Sequence, residues 1–310
     1  MTDFIRIPSN PVPAGGEIFM METADGAKLR VAVFPTENAR ACVMLLNGRS
    51  EFIEKYFEVI EDLRRRGFSV VTMDWRGQGL SSRMLPVSEK GHINDFGAYK
   101  ADLRNVVETV VKPRFDMPLV LMTHSMGGLP SLMLLADGYD AFSCAVLCAP
   151  MTRFKLDPAK RALARISSNI AVKLGWSRGS VLGVEEYSLE FEGNKLTSDQ
   201  RRHERFRELQ TAAPNACIFA PTYGWLHAAT HAIDDLHQPG RLDSVKIPVL
   251  IISAEVDALV DPADHIALAQ AYDRIDCVTI KSALHEILME RDEFRDQYWK
   301  AFDGYVEKVI

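Results

Sequence analysis

Two serines in this chain of 310 residues sit in settings that could make a nucleophile. Ser125 lies in "LVLMTHSMGG" (119–128), and Ser177 lies in "GWSRG" (175–179). A serine hydroxyl attacks a carbonyl only with help. It needs a base within hydrogen-bond reach, a group that orients the base, and donors for the developing oxyanion. The pattern G-x-S-x-G meets part of that need by holding serine on a tight turn from a strand into a helix, where the first helical N–H groups face the reacting carbonyl. Ser177 matches the pattern letter for letter, whereas Thr123 replaces the first glycine before Ser125.

Context separates the two. "PLVLMT" before Ser125 is a strand-length apolar run, and the helix-like "GGLPSLMLLAD" follows it. Pro130 fits such a helix only within its first turn, which places the helix start directly after the serine. Ser177 is preceded by "RALARISSNIAVKLG", of helical period, and followed by "SVLGVEEYS", which has no helical face. "GWSRG" therefore reads as a helix end at Gly175 and a turn. Ser125 is the candidate nucleophile. Threonine is favoured at a strand end, and Gly127 and Gly128 remain on the far side of the turn.

The elements that must hold such a residue follow from hydrophobic periodicity. "ACVMLLN", "FSVVTMD", "PLVLMT", "FSCAVLCAP", "IPVLIISAEVD" and "DCVTIKSALH" read as strands, separated by helix-period stretches. In "IEKYFEVIEDLRRRG", Ile53, Tyr56, Phe57, Ile60 and Leu63 share one face, and Gly67 closes the helix. "AYKADLRNVVETVVK" is a helix stopped near Pro113, Asp261-Pro262 opens another, and "EFRDQYWKAFDGYVEKV" is the last. This alternation predicts an α/β fold, a mostly parallel doubly wound sheet with helices on both faces. A hairpin around Asp25-Gly26 precedes it. Residues 151–238 break the rhythm with a basic helix-like segment, loops and another helix-like stretch. They read as a cap inserted between core parts 1–150 and 239–310.

Composition narrows the function class. With 47% hydrophobic and 25% charged residues, the chain has globular composition, and a net charge of −6 gives no footprint for nucleic acid. Five scattered cysteines read as reduced core thiols. No apolar h-region opens the sequence and no apolar run approaches the ~18 residues of a spanning helix, so a cytoplasmic protein is expected, with room for peripheral membrane contact.

Six motifs in order, "NGRSEFIEKY", "DWRGQGLSS", "THSMGG", "LTSDQRR", "PTYGWL" and "SALHEILMERD", resemble the bacterial lysophospholipase and monoacylglycerol lipase branch of the α/β-hydrolases. The resemblance covers nearly the whole chain. It implies a Ser–Asp–His order in which Asp257 is the acid and His285 the base. Each follows a strand expected from periodicity, and open α/β sheets build sites at the carboxyl ends of their strands. Glu255 and Asp261 are rival acids, better explained as a solvated loop group and a helix cap. His124 is expected to pack around the turn with its side chain directed away from that of Ser125. The oxyanion donors are expected to be the backbone N–H of Met126, the residue after the serine, and, by resemblance, that of Arg49. Relatives usually carry His-Gly where this chain has Asn47-Gly48, so Asn47 must do the histidine's packing.

Other features invite rival chemistry. "DWRGQGLSS" lacks the spacing of a phosphate loop and reads as a structural turn. His227 and His231, at i and i+4, could offer imidazoles to a metal, but no glutamate lies between them as in H-E-x-x-H; no metal or cofactor is expected. Phe154, Trp176, Leu182, Tyr187, Phe191, Phe219, Tyr223, Trp225 and Leu226 could line an acyl pocket or form the cap's own core. Residues 151–180 hold seven basic side chains (Arg153, Lys155, Lys160, Arg161, Arg165, Lys173 and Arg178) against Asp157, with Leu163, Ile166, Ile170 and Leu174 on one helical face. Such a segment can touch an anionic membrane or attract a phosphate headgroup. The expected function is a serine esterase acting on single-acyl-chain lipids. The alternatives are a proline-iminopeptidase-like aminopeptidase and a non-catalytic binding protein of the same fold.

Overall fold

Short runs in which successive residues all become buried make the inner strands of a computed structural model that describes residues 3–87, 89–182 and 190–310. The N-terminal hairpin forms as expected from β1 (Glu17–Glu22) and β2 (Lys28–Phe34). It is followed by β3 (Ala41–Leu46), β4 (Phe68–Met73), β5 (Leu119–His124), β6 (Cys144–Cys148), β7 (Val249–Ala254) and β8 (Ile275–Ile280). They join in one sheet ordered β1-β2-β4-β3-β5-β6-β7-β8. The pairings β1–β2 and β2–β4 are antiparallel, and all the others are parallel.

The inner strands β3 to β7 are buried on both faces because helices cover both. In β3, Cys42, Met44 and Leu46 enter one core cluster, while Ala41, Val43 and Leu45 enter the other. The helices are α1 (Phe57–Arg65), α2 (Gly97–Val106), α3 (Lys112–Arg114), α4 (Gly128–Ala136), α5 (Pro158–Lys173), α6 (Gln200–Ala212), α7 (Tyr223–Leu236), α8 (Pro262–Ala271) and α9 (Asp292–Val306). Helices α1 and α9 pack on the second cluster, and α2, α4 and α7 on the first. A π-turn over Val107–Val111 joins α2 to α3, so Pro113 sits inside the last turn and the helix runs to Arg114.

Between β6 and β7 the described residues hold no strand. The basic helix is α5, capped by Asp157, whose side chain accepts from the Lys160 N–H at 2.9 Å. Two helices, not one, follow the loop: α6, capped by Asp199, and α7, capped by Thr222. Helix α7 is part of the main core, where Trp225, Ala229 and Ile233 are buried with α4 and the sheet. Helix α5 lies on α7 through small residues, burying Ser168 and Ala171. Its apolar residues point the other way: Leu163 and Leu174 are each 65% exposed, and Ile166 and Ile170 are exposed as well.

Candidate active site

The turn after β5 places the backbone stress on the serine itself. Ser125 has φ +49°, a left-handed conformation that an L-residue occupies only under compulsion. Thr123, by contrast, is a regular strand residue, in register with Leu46 and Leu147 on its two neighbours. Its β-branch is therefore at home, and its side chain is fully buried facing Gly128, where a Cβ would come within 3.4 Å of Thr123 Oγ1. That hypothetical Cβ would lie 2.4 Å from Pro150 Cβ, and one on Gly127 would lie 2.7 Å from the Asn47 carbonyl oxygen. The glycines that this turn needs are those after the serine. Pro130 lies in the first turn of α4, as anticipated.

Three strand ends converge on this turn. His285 follows β8, and its Nε2 is 2.9 Å from Ser125 Oγ. Asp257 follows β7, and its Oδ2 is 2.6 Å from His285 Nδ1. A carboxylate only accepts, so Nδ1 carries the proton and Nε2 is left to accept from the serine hydroxyl. Asp257 Oδ1 also accepts from the N–H groups of Leu259 (2.8 Å) and Val260 (3.0 Å), which fixes the carboxylate. Burial alone would raise the Asp257 carboxyl, but the charge and hydrogen bond of His285, with these two amides, bring it below the usual range. Glu255 is exposed and accepts from Ser282 N–H, and Asp261 caps α8, so both rivals have the other roles expected of them.

Met126 is the second residue of the 3-10 turn Ser125–Gly127 that opens α4, so its N–H belongs to the first helical turn and has no intrahelical acceptor. The loop after β3 passes directly over it. A Cβ on Gly48 would lie 3.0 Å from Ser125 Cβ, and Arg49 lines the same cleft as Ser125. Asn47 is buried and tied down, with Nδ2 donating to the Met73 carbonyl at 3.1 Å. Gln78, from the "DWRGQGLSS" turn, donates Nε2 to the Gly48 carbonyl at 2.7 Å and the Glu51 carbonyl at 3.2 Å. Trp75 Nε1 donates to the Asn47 carbonyl at 2.9 Å. The turn holds the loop, and Gly79 is packed against Asp74, which accepts from the Ile53 N–H in turn.

Behind the loop lies a buried network that no local motif announces. Glu51 accepts from the Gly48 N–H, from Lys55 Nζ at 2.7 Å and from Tyr56 Oη at 2.7 Å. Lys55 also reaches Glu286 at 2.5 Å, next to His285. His124 joins the network with Nδ1 3.2 Å from Glu51 Oε2. Its ring packs around the turn, as expected, with its centroid 4.9 Å from that of the His285 ring. Burial alone would lower the His124 imidazole, but the Glu51 carboxylate raises it. The groups act through space, so only their burial reveals them.

The expected cap residues part company. Phe219 lines the cleft with Ser125, together with Leu196, Phe206, Ile218 and Leu259, which periodicity did not single out. Trp225 and Phe154 pack in the core, whereas Trp176 and Leu182 are 69% and 85% exposed beside a separate apolar groove on α5. Tyr187 lies outside the described residues. Ser177 sits in the turn after α5, where its carbonyl accepts from the Gly224 N–H, away from any imidazole–carboxylate pair. The His227 and His231 rings lie with centroids 4.2 Å apart, tilted by 55°, with His231 Nε2 3.1 Å from Asn169 Oδ1. Among the described residues no group of three or more His, Cys, Asp or Glu could hold a metal, and no helix is long and apolar enough to cross a membrane. Of the seven basic residues in 151–180, five form ion pairs: Arg153 with Asp264, Lys155 and Arg161 with Asp261, Lys160 with Asp157, and Arg165 with Asp234.

Known proteins with the same pattern are numerous. The model of Hydrolase_4, described as serine aminopeptidase S33, matches residues 37–292. "Probable lysophospholipase L2" of Haemophilus influenzae is 30% identical over 279 residues, covering 89% of this chain and 87% of that protein. Lysophospholipase L2 of Escherichia coli K12 is 28% identical, over 87% and 82%. A soluble variant of the Saccharomyces cerevisiae monoglyceride lipase, solved with a substrate analogue, superposes with a TM-score of 0.76 at 20% identity, covering 95% and 97%. That likeness is one of fold: the sheet, its flanking helices and their order are those of the α/β-hydrolases.

Proposed function

For a chain that belongs to the Hydrolase_4 family, serine aminopeptidase S33, we propose hydrolysis of single-acyl-chain lipid esters, lysophospholipids or monoacylglycerols, through an acyl-enzyme on Ser125. The chain is a carboxylic ester hydrolase with relatives named lysophospholipase and monoglyceride lipase. The observation that carries the residue assignment is the line of hydrogen bonds from Ser125 Oγ through His285 to Asp257, at 2.9 and 2.6 Å.

Ser125 Oγ attacks the ester carbonyl carbon while His285 Nε2 takes the hydroxyl proton. The tetrahedral oxyanion is held by the N–H groups of Met126 and Arg49. His285 then returns the proton to the departing glycerol oxygen, leaving the acyl group on Ser125. Water repeats the sequence, with His285 as base, and releases the fatty acid. Asp257 keeps His285 in the tautomer that accepts at Nε2 and stabilises the imidazolium. The apolar wall of Phe206, Ile218, Phe219 and Leu259 suits an acyl chain. In this reading residues 1–150 and 239–310 form the hydrolase core and 151–238 the insertion that caps it, of which α7 packs into the core itself.

The outward apolar face of α5 supports a second assignment, contact of the cap with a lipid surface. Exposed Leu163, Ile166, Ile170 and Leu174 form an unpartnered stripe continued by Trp176, with Lys173 and Arg178 exposed at its end. Co-sedimentation with anionic vesicles tests it.

Among the described residues two carboxylates line the cleft, Glu51 and Glu286, and both are paired with Lys55. A panel of esters graded by acyl length, run beside proline-amide substrates with Ser125→Ala as control, tests the reading. Ester cleavage that vanishes in the variant is expected; faster amide cleavage would overturn it.

A further inference from the structure

We propose that the α6 wall of the cleft is an anion subsite for the phosphate of a glycerophospho headgroup, engaged while Ser125 attacks the acyl ester of the same molecule. The proposal rests on the ester-hydrolase reading above and gives it a preferred substrate class, lysophospholipid over neutral monoacylglycerol.

Helix α6 presents His203, Phe206, Arg207 and Gln210 at positions i, i+3, i+4 and i+7, and all four line the cleft that contains Ser125. The helix is pinned by a different arginine. Arg202 reaches Glu58 and Asp292 at 2.6 Å and Asp199 at 2.8 Å, so its charge is committed to holding α6 in place. Phe206 closes the base of the wall, packed on Phe52 and beneath Lys55.

The His203 ring packs edge-on to Phe191, with centroids 5.4 Å apart, but its nitrogens are unmatched. It is only 7% exposed, yet among the described residues neither ring nitrogen has a hydrogen-bond partner. Buried polar groups in folded proteins are almost always paired, and an exception calls for an occupant. A neutral imidazole donates from one nitrogen and accepts at the other. A glycerophosphate offers the matching pair, an anionic oxygen to accept and a hydroxyl to donate. Beside it, Arg207 Nη1 donates to Gln210 Oε1 at 2.5 Å, which holds guanidinium and amide side by side. From the facing loop, the Arg49 guanidinium donates to the Phe219 carbonyl and lies 5.2 Å from the Trp225 ring centroid.

Charge agrees with an anionic occupant. Among the described residues, Arg49, Lys55 and Arg207 line the cleft with the carboxylates Glu51 and Glu286, and Arg202 lines it with its charge already committed. Those two carboxylates are both bound to Lys55. Burial lowers the Arg207 guanidinium below its ordinary range, although Glu286 works against this. Burial and then the Arg207 charge lower the His203 imidazole, with Glu286 and Glu204 opposing and Lys55 adding to the depression. A bound phosphate would stabilise the Arg207 cation and accept from the neutral His203 ring. The basic residues of the 151–180 segment are less suited, because five of them already face carboxylates.

The test compares kcat/KM for lysophosphatidylethanolamine and for monoacylglycerol of the same acyl chain in the wild-type chain and in Arg207→Gln, Arg207→Lys and His203→Phe. The lysophospholipid-to-monoacylglycerol ratio is expected to fall at least about tenfold in Arg207→Gln and His203→Phe, and much less in Arg207→Lys. A ratio that stays constant, including equal losses on both substrates, overturns the subsite. A second arm uses only the wild type and so does not depend on the folding of any variant. Glycerol 3-phosphate should competitively inhibit monoacylglycerol cleavage more strongly than inorganic phosphate. Absence of inhibition overturns the subsite, and equal inhibition by the two overturns its assignment to a lipid headgroup in favour of free phosphate. A wild type inactive on both esters would instead overturn the hydrolase reading beneath it.

Discussion

The departure from the serine motif is resolved at the level of φ angles. The strained residue is Ser125, at φ +49°, and Thr123 sits two residues earlier in ordinary strand geometry. Sequence reasoning located Ser125 because a strand before and a helix after are local features. It placed Asp257 and His285 by resemblance and by their positions after strands, and their side chains meet. It missed Glu51 and Gln78 because their partners lie on other elements or on backbone atoms, which leaves no periodic signal. Two expectations follow at this scale. Asp257→Asn should cut kcat roughly ten-thousand-fold by releasing the wrong imidazole tautomer, with an unchanged circular dichroism spectrum; a loss under tenfold in steady-state assays would contradict its role. Gln78→Leu should free the Gly48 and Glu51 carbonyls and lower kcat up to about 100-fold while KM moves little. A change confined to KM would argue that Gln78 does not shape the oxyanion loop.

At the scale of elements, strands and core helices were legible because their apolar periods are strong. Helix α6 was not resolved from the surrounding loops for a physical reason: "QRRHERFRELQTA" carries few apolar residues, and its docking is ionic. Glu58 on α1 receives Arg202, Arg205 and Arg295. Burial alone would raise its carboxyl, but the Arg202 hydrogen bond and the charges of Arg295 and Arg205 hold it well below the usual range. A depressed folded-state value means stability that is complete above the unfolded carboxyl's range, near 4.5, and is lost as pH falls toward the folded value. Melting curves of Glu58→Gln and wild type should therefore differ most above about pH 5 and converge as pH drops below about 4. A gap that widens on acidification would contradict the ion-pair account of α6.

For the whole molecule, the order of strands across the sheet could not be read from sequence, because pairing joins segments far apart in the chain. Nor could the orientation of α5, since an amphipathic period does not say whether its apolar face turns inward or outward. It turns outward, and the account expects the intact protein to co-sediment with anionic vesicles at low salt, with Leu163→Glu and Leu174→Glu reducing the bound fraction severalfold. Equal pelleting of wild type and variants would exclude α5 as the contact. The central claim, that one strained serine does the chemistry, is tested most directly by fluorophosphonate labelling of the intact chain read by mass spectrometry. One adduct per chain, located on Ser125 and absent from Ser125→Ala, is the predicted result. An unlabelled wild type, or an adduct that persists in Ser125→Ala, would contradict the account.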